Sequence, residues 1–144
     1  MKTSKTVNGD FQLKVGNLPP KCNHKLDRIL LADASSDKII IIADGDGDSK
    51  GVSEDLSGHA PRSIKAKVEI IVYESEIEEW ICKSLRLNFQ GIKPSERLKQ
   101  HSRGKGSAKT PYHHRDLPSY AKEIDIPLLL RTDMNFQRLV SCLS

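Results

Sequence analysis

The stretch Lys38-Ile39-Ile40-Ile41-Ile42-Ala43-Asp44-Gly45-Asp46-Gly47-Asp48 decides how this chain reads. Four consecutive β-branched isoleucines between polar residues are too few for a helix. They predict a strand buried on both faces, as in the middle of a parallel sheet. At its carboxyl end come three aspartates at alternate positions, separated by glycines that let the backbone turn sharply and approach a ligand closely. In open α/β sheets, ligands bind at the carboxyl ends of the strands. If the pleat continues into the turn, Asp44 and Asp46 share a side, and such a carboxylate pair suits a hard cation such as Mg²⁺ or Mn²⁺. The same residues also fit a plain polar turn. A calcium loop is a third reading: Asp44, Asp46 and Asp48 match its first three ligand positions and Asp55 its twelfth. Against it, Ser49 stands where that loop needs glycine, and a strand rather than a helix leads in.

Working outward, Phe11-Gln12-Leu13-Lys14-Val15 alternates apolar and polar residues and predicts a short strand. The polar segment 1–10 before it predicts a flexible N-terminus. Leu26, Ile29 and Leu30 recur at helical spacing, so residues 22–35 predict an amphipathic helix. Strand, helix and isoleucine strand then form a βαβ unit. Residues 49–65 are rich in Ser, Gly and charge and predict a mobile surface loop, with at most a helical turn at Ser53–Leu56. Val68-Glu69-Ile70-Ile71-Val72-Tyr73 is the next strand. It runs into a helix over residues 74–85 whose buried stripe is Ile77, Trp80, Ile81 and Leu85. Ser75 and Glu78 have the spacing of a capping box, which gives these acids local work without a metal. If the two strands are neighbours, Glu76 or Glu78 completes a carboxylate cluster with Asp44 and Asp46.

Further on, residues 93–100 and 117–123 predict short helices, with Pro94 and Pro118 near their starts. Ile126–Leu130 fits either a last strand or a helical turn. Phe136, Leu139, Val140 and Leu143 share one face of a C-terminal docking helix.

The 144 residues predict one compact α/β domain over 11–144. No run is apolar enough for a membrane span or a signal peptide. The cysteines, Cys22, Cys82 and Cys142, are odd in number and lack metal-ligand spacing, which predicts a reduced, cytoplasmic setting. Twenty-three Lys and Arg against nineteen Asp and Glu give a net charge of +4, unevenly spread. Lys93, Arg97, Lys99, Arg103, Lys105, Lys109 and Arg115 fall in a segment whose one acid is Glu96. Arg97, Lys99, Arg103, Lys105, Lys109 and Arg115 are the candidate nucleic-acid contacts, since bases beside an acidic site suit a metal-dependent enzyme acting on phosphates. A solvated loop is the plainer reading of that segment. His113 and His114 are adjacent and share no helix face, which argues against zinc but allows one imidazole to contact phosphate or transfer a proton.

From Phe11 to Leu143 the chain resembles small prokaryotic Toprim-like proteins of unknown function, related to the Toprim domains of topoisomerases, DnaG-type primases and OLD-type nucleases. The resemblance is carried by the hydrophobic strand ending in Asp44-Gly45-Asp46, the second strand followed by Glu76-Ile77-Glu78-Glu79-Trp80, and the aromatic helix around Phe136. It implies a Rossmann-like, three-layer α/β fold with a mainly parallel sheet. It also implies Mg²⁺ used to nick, join or polymerise phosphodiester bonds. On this chain it makes Asp44, Asp46 and Glu76 the catalytic candidates and Asp44, Asp46 and Glu78 the metal ligands. One departure matters: the family opens with a strand ending in a glutamate that acts as general acid or base, and no Glu precedes Glu54 here. The resemblance therefore does not decide whether the chain is an enzyme. It leaves open a nuclease-like enzyme, a non-catalytic nucleic-acid or nucleotide binding module, and a regulatory subunit with a degenerate site. It equally leaves open a homo-oligomer, or a partner that supplies the missing strand.

Overall fold

The computed structural model describes residues 24–103 and 111–143, together with Leu13, Val15 and Gly16. The predicted strand over Phe11–Val15 and the flexible segment 1–10 lie outside the described residues, apart from Leu13 and Val15, which are exposed and in no strand. So do Lys105 and Lys109, and the side chain of Arg103.

The elements run α1 (His24–Ala32), β1 (Ile39–Asp44), α2 (Ser49–Gly58), a 3₁₀ turn (Lys65–Lys67), β2 (Val68–Tyr73), α3 (Glu78–Ser84), α4 (Pro94–Arg103), a 3₁₀ helix (His114–Glu123), α5 (Ile126–Thr132) and α6 (Met134–Cys142). The architecture is mixed helix and strand, with β1 and β2 parallel and in register from Ile39 opposite Val68 to Asp44 opposite Tyr73. Both strands therefore end at the same level, and the turns that follow them lie side by side.

Because side chains alternate across a strand, the sheet has two different faces. Ile39, Ile41 and Ala43 share one with Val68, Ile70 and Val72. That face packs against Leu26 and Leu30 of α1 and Val52 and Leu56 of α2. On the other, Tyr73 packs with Trp80 of α3, Leu129 of α5 and Phe136 of α6. Tyr73 and Trp80 meet edge to face with centroids 4.7 Å apart, as do Trp80 and Phe136 at 5.1 Å, the arrangement that aromatic quadrupoles favour. A third cluster, Ile81, Cys82, Leu98 and Tyr112, joins α3 to α4 and to the chain entering the 3₁₀ helix.

The isoleucine strand is not buried on both faces. Ile41 is buried, but Ile42 is 39% exposed, because among the described residues the sheet has two strands and β1 lies at its edge. The edge of β2 is closed differently. Asn135 of α6 donates to the Val72 carbonyl at 3.0 Å and Arg138 to the Ile70 carbonyl at 2.9 Å. Helix α6 thus occupies strand acceptors that would otherwise invite another strand.

Residues 49–65 are not a loop, since α2 fills most of them. Asp48 caps the helix by accepting from the Gly51 amide at 3.1 Å, and Val52 and Leu56 supply its inward stripe. A helix beginning at Ser49 leaves no room for a twelve-residue calcium loop from Asp44 to Asp55. Ile126–Leu130 is helical, with Asp125 as its N-cap. Asp133 caps α6 through the Phe136 amide and pairs with Lys83 of α3 at 2.5 Å, fastening the two helices together. Among the described residues, no helix is long and apolar enough to cross a membrane.

Candidate functional site

The site is built where the turns after β1 and β2 meet. The amides of Gly45 and Asp46 both donate to the Ser75 carbonyl, at 3.1 and 3.0 Å, and that of Gly47 donates to the Glu74 carbonyl at 2.9 Å. Such close backbone contact requires glycine at position 45, where a Cβ would lie 2.1 Å from the Tyr73 carbonyl oxygen. The chain then turns through the left-handed region at Asp46 (φ +48°) and Gly47 (φ +88°). Aspartate and glycine are the residues that tolerate this. The pleat thus ends at Asp44, and Asp46 is presented by a turn, not by an extended strand.

Asp44 is exposed at the strand end, and its Oδ1 accepts from the Ile77 amide at 2.9 Å. Partial burial at the strand end, which desolvates the charged form, raises its carboxyl pKa above the usual 3.8. The Ile77 amide opposes this, and the negative charges of Glu78, Glu76 and Asp46 add to the rise. The two acidic turns adjoin, but the carboxylates predicted to gather there do not close into a group of three among the described residues.

Their individual partners differ. Asp46 is exposed, with the Lys93 ammonium 4.0 Å away. Glu76 is buried and accepts from the Ser95 amide at 2.9 Å, which anchors the start of α4 beside the turn. Glu78 is 0% exposed. Its Oε1 receives the Tyr112 hydroxyl at 2.8 Å and lies 2.9 Å from Nδ1 of His114. Glu78 is not the capping residue expected from its spacing; Glu79 accepts from the Ser75 amide instead, and α3 begins three residues later than Ser75. Ser49, at the start of α2, donates to Glu74 at 3.1 Å and ties that helix to the β2 turn.

Among the described residues, no three His, Cys, Asp or Glu side chains form a ready-made metal cage. Mg²⁺ does not need one, because it is held by one or two carboxylates with waters and substrate phosphates. Asp44 and Asp46 fit that requirement by chemistry, since both are exposed carboxylates on one turn.

Of the predicted basic contacts, Arg97 is turned to the Asn88 carbonyl at 3.0 Å and Lys99 to Glu96 at 2.7 Å, so both have internal partners. Arg115 is exposed. An open groove of about 510 Å³ lies over β2 and is lined by Ser49, Lys50, Glu74, Lys83, Asn135 and Arg138 among others, but by none of Asp44, Asp46, Glu76 and Glu78. The concave surface therefore adjoins the acidic turns through Glu74 and Ser49 without including the four candidate carboxylates.

The partnership of Glu78 with Tyr112 and His114 escapes sequence reasoning. The Tyr112-His113-His114 run is visible, but nothing local connects it to a glutamate 34 positions earlier. Comparison with protein-family models, with curated proteins and with solved structures finds no match.

Proposed function

We propose that the chain is a Toprim-like domain of Rossmann-like, three-layer design that handles phosphodiesters with Mg²⁺ or Mn²⁺ at the paired turns. Asp44 and Asp46 hold the cation. What supports this reading is that two parallel strands end at the same level and that the amides of Gly45, Asp46 and Gly47 bind the Ser75 and Glu74 carbonyls, which sets the turn bearing Asp44 and Asp46 against a second acidic turn. When bound, the cation neutralises charge on the phosphoryl group. The chain's own residues do the rest: Gly45 brings the turns together, Ile77 orients Asp44, and Lys93 supplies a positive charge beside Asp46. Glu76 supports the site by fixing Ser95 at the start of α4.

A second reading is favoured by the commitment of Glu76 and Glu78 to internal donors. In it the domain binds nucleic acid or nucleotide without cleaving it. Incubation of the full chain with plasmid DNA and with single-stranded RNA, with and without Mn²⁺, separates the two. Cleavage that requires Mn²⁺ and disappears in Asp44→Asn is expected. Salt-sensitive binding without cleavage, unchanged in Asp44→Asn, would favour the binding module.

A further inference from the structure

We propose that the outer edge of β1 is an interface between two copies of this chain. The two β1 strands pair antiparallel about a two-fold axis at Ile41 and join two sheets of two strands into one of four. The inference goes beyond the reading of Asp44 and Asp46 as a cation site and holds whether or not a cation binds.

The two edges of the sheet differ. On β2, Asn135 and Arg138 of α6 take the Val72 and Ile70 carbonyls, so that edge is closed. On the outer side of β1 no strand pairs among the described residues. A row of backbone donors and acceptors there is a template for another strand. The side chains beside it are apolar. Ile42 is 39% exposed, and Ile40, on the same face, is half-buried. Ile71, opposite Ile42 on β2, is 0% exposed. The apolar surface of this face is thus covered on the β2 side and left in water on the β1 side.

The charges at the two ends of the strand select the occupant. Lys38 precedes β1 and Asp44 ends it, and both are exposed. A copy running in the same direction would set Lys38 beside Lys38 and Asp44 beside Asp44. A copy running the other way, with Ile41 opposite its own equivalent, sets Lys38 opposite the partner's Asp44 and Ile40 opposite the partner's Ile42. Positions 38, 40, 42 and 44 alternate to one face, so both kinds of pair form side by side there. Opposite charges and paired aliphatic side chains are the neighbours that stabilise an antiparallel ladder. Lys38 donates to the Cys142 carbonyl at 2.9 Å, which leaves two of its three N–H groups for a partner. Asp44 holds the Ile77 amide with Oδ1, which leaves Oδ2. The end pairs are exposed and screened, so they set direction and register, while backbone hydrogen bonds and the isoleucines hold the copies together.

The test is sedimentation of the full chain over a concentration series, in chelator so that no divalent cation contributes. A monomer–dimer equilibrium is expected, weakened by salt. Ile42→Lys, at an exposed position, should raise the dissociation constant of the dimer at least about tenfold, because two isoleucines per dimer lose their cover. Lys38→Glu should raise it as well, and Lys38→Glu/Asp44→Lys should lower it again. Ile40→Cys/Ile42→Cys should oxidise to a covalent dimer that the wild type, with its native cysteines, does not form. Directly opposed residues of an antiparallel pair lie about 4.5–5.5 Å apart at Cα, within disulfide reach. A monomer at every concentration would overturn the proposal and leave the edge to a segment of this chain or to another protein. A dimer unchanged by Ile42→Lys and Lys38→Glu would overturn it by placing the interface elsewhere. A dimer that both variants weaken but that Ile40→Cys/Ile42→Cys does not cross-link would overturn the antiparallel register. A dimer of a chain that binds no Mg²⁺ would sustain the interface and sink only the cation reading.

Discussion

Asp44 carries the tension of the site in one side chain. Its carboxyl is raised above 3.8 by partial burial and by like charges, so ionisation there costs stability. The cost is absent below the unfolded value and fully present once pH rises through the folded one. Asp44→Asn keeps an oxygen for the Ile77 amide and removes the charge. It should therefore be more stable than wild type at pH 7 by roughly 0.2–1 kcal/mol, a screened surface effect, with the difference vanishing below about pH 3.8. Thermal melts across pH check the sign. Gly45 is set by space instead of charge. Gly45→Ala should cost about 1–3 kcal/mol in urea denaturation, because the new methyl meets the Tyr73 carbonyl and no side chain can move aside.

At the scale of elements, β1 and β2 were legible because runs of β-branched residues say strand in any context. What four isoleucines do not say is whether the strand is central or at an edge. Ile71, opposite Ile42 in the register, is 0% exposed whereas Ile42 is 39% exposed. Ile71→Ala should accordingly cost about 2–5 kcal/mol and Ile42→Ala clearly less, about 1 kcal/mol, in the same denaturation series. Helix α2 was not legible. Its ten residues include Gly51 and Gly58 and only two inward apolar side chains, Val52 and Leu56, so local pattern gives no signal. The Asp48 cap and the packing of Val52 and Leu56 against the sheet supply what propensity does not. The start of α3 is hidden for a related reason: S-x-x-E spacing names Glu78 as a capping residue, while the tertiary fold draws that side chain to Tyr112 and His114 and the helix starts after Ile77 with no side-chain cap.

Over the whole molecule, the candidate site was half legible. The D-x-D turn and the second acidic turn stand out in the sequence, and the parallel register places them side by side. Arg97 and Lys99 lie in a basic run, and each also has a neighbour in the fold, which a charge run does not disclose. The long-range pairing of Glu78 with His114 was invisible for the same reason. The central claim is that Asp44 and Asp46 bind a divalent cation, and calorimetric titration of Mg²⁺ and Mn²⁺ tests it most directly, on the wild type and on the Asp44→Asn/Asp46→Asn double variant. Binding to the folded wild type that is lost in an equally folded double variant is the predicted result; no binding to the wild type, or binding that survives in the double variant, would contradict it.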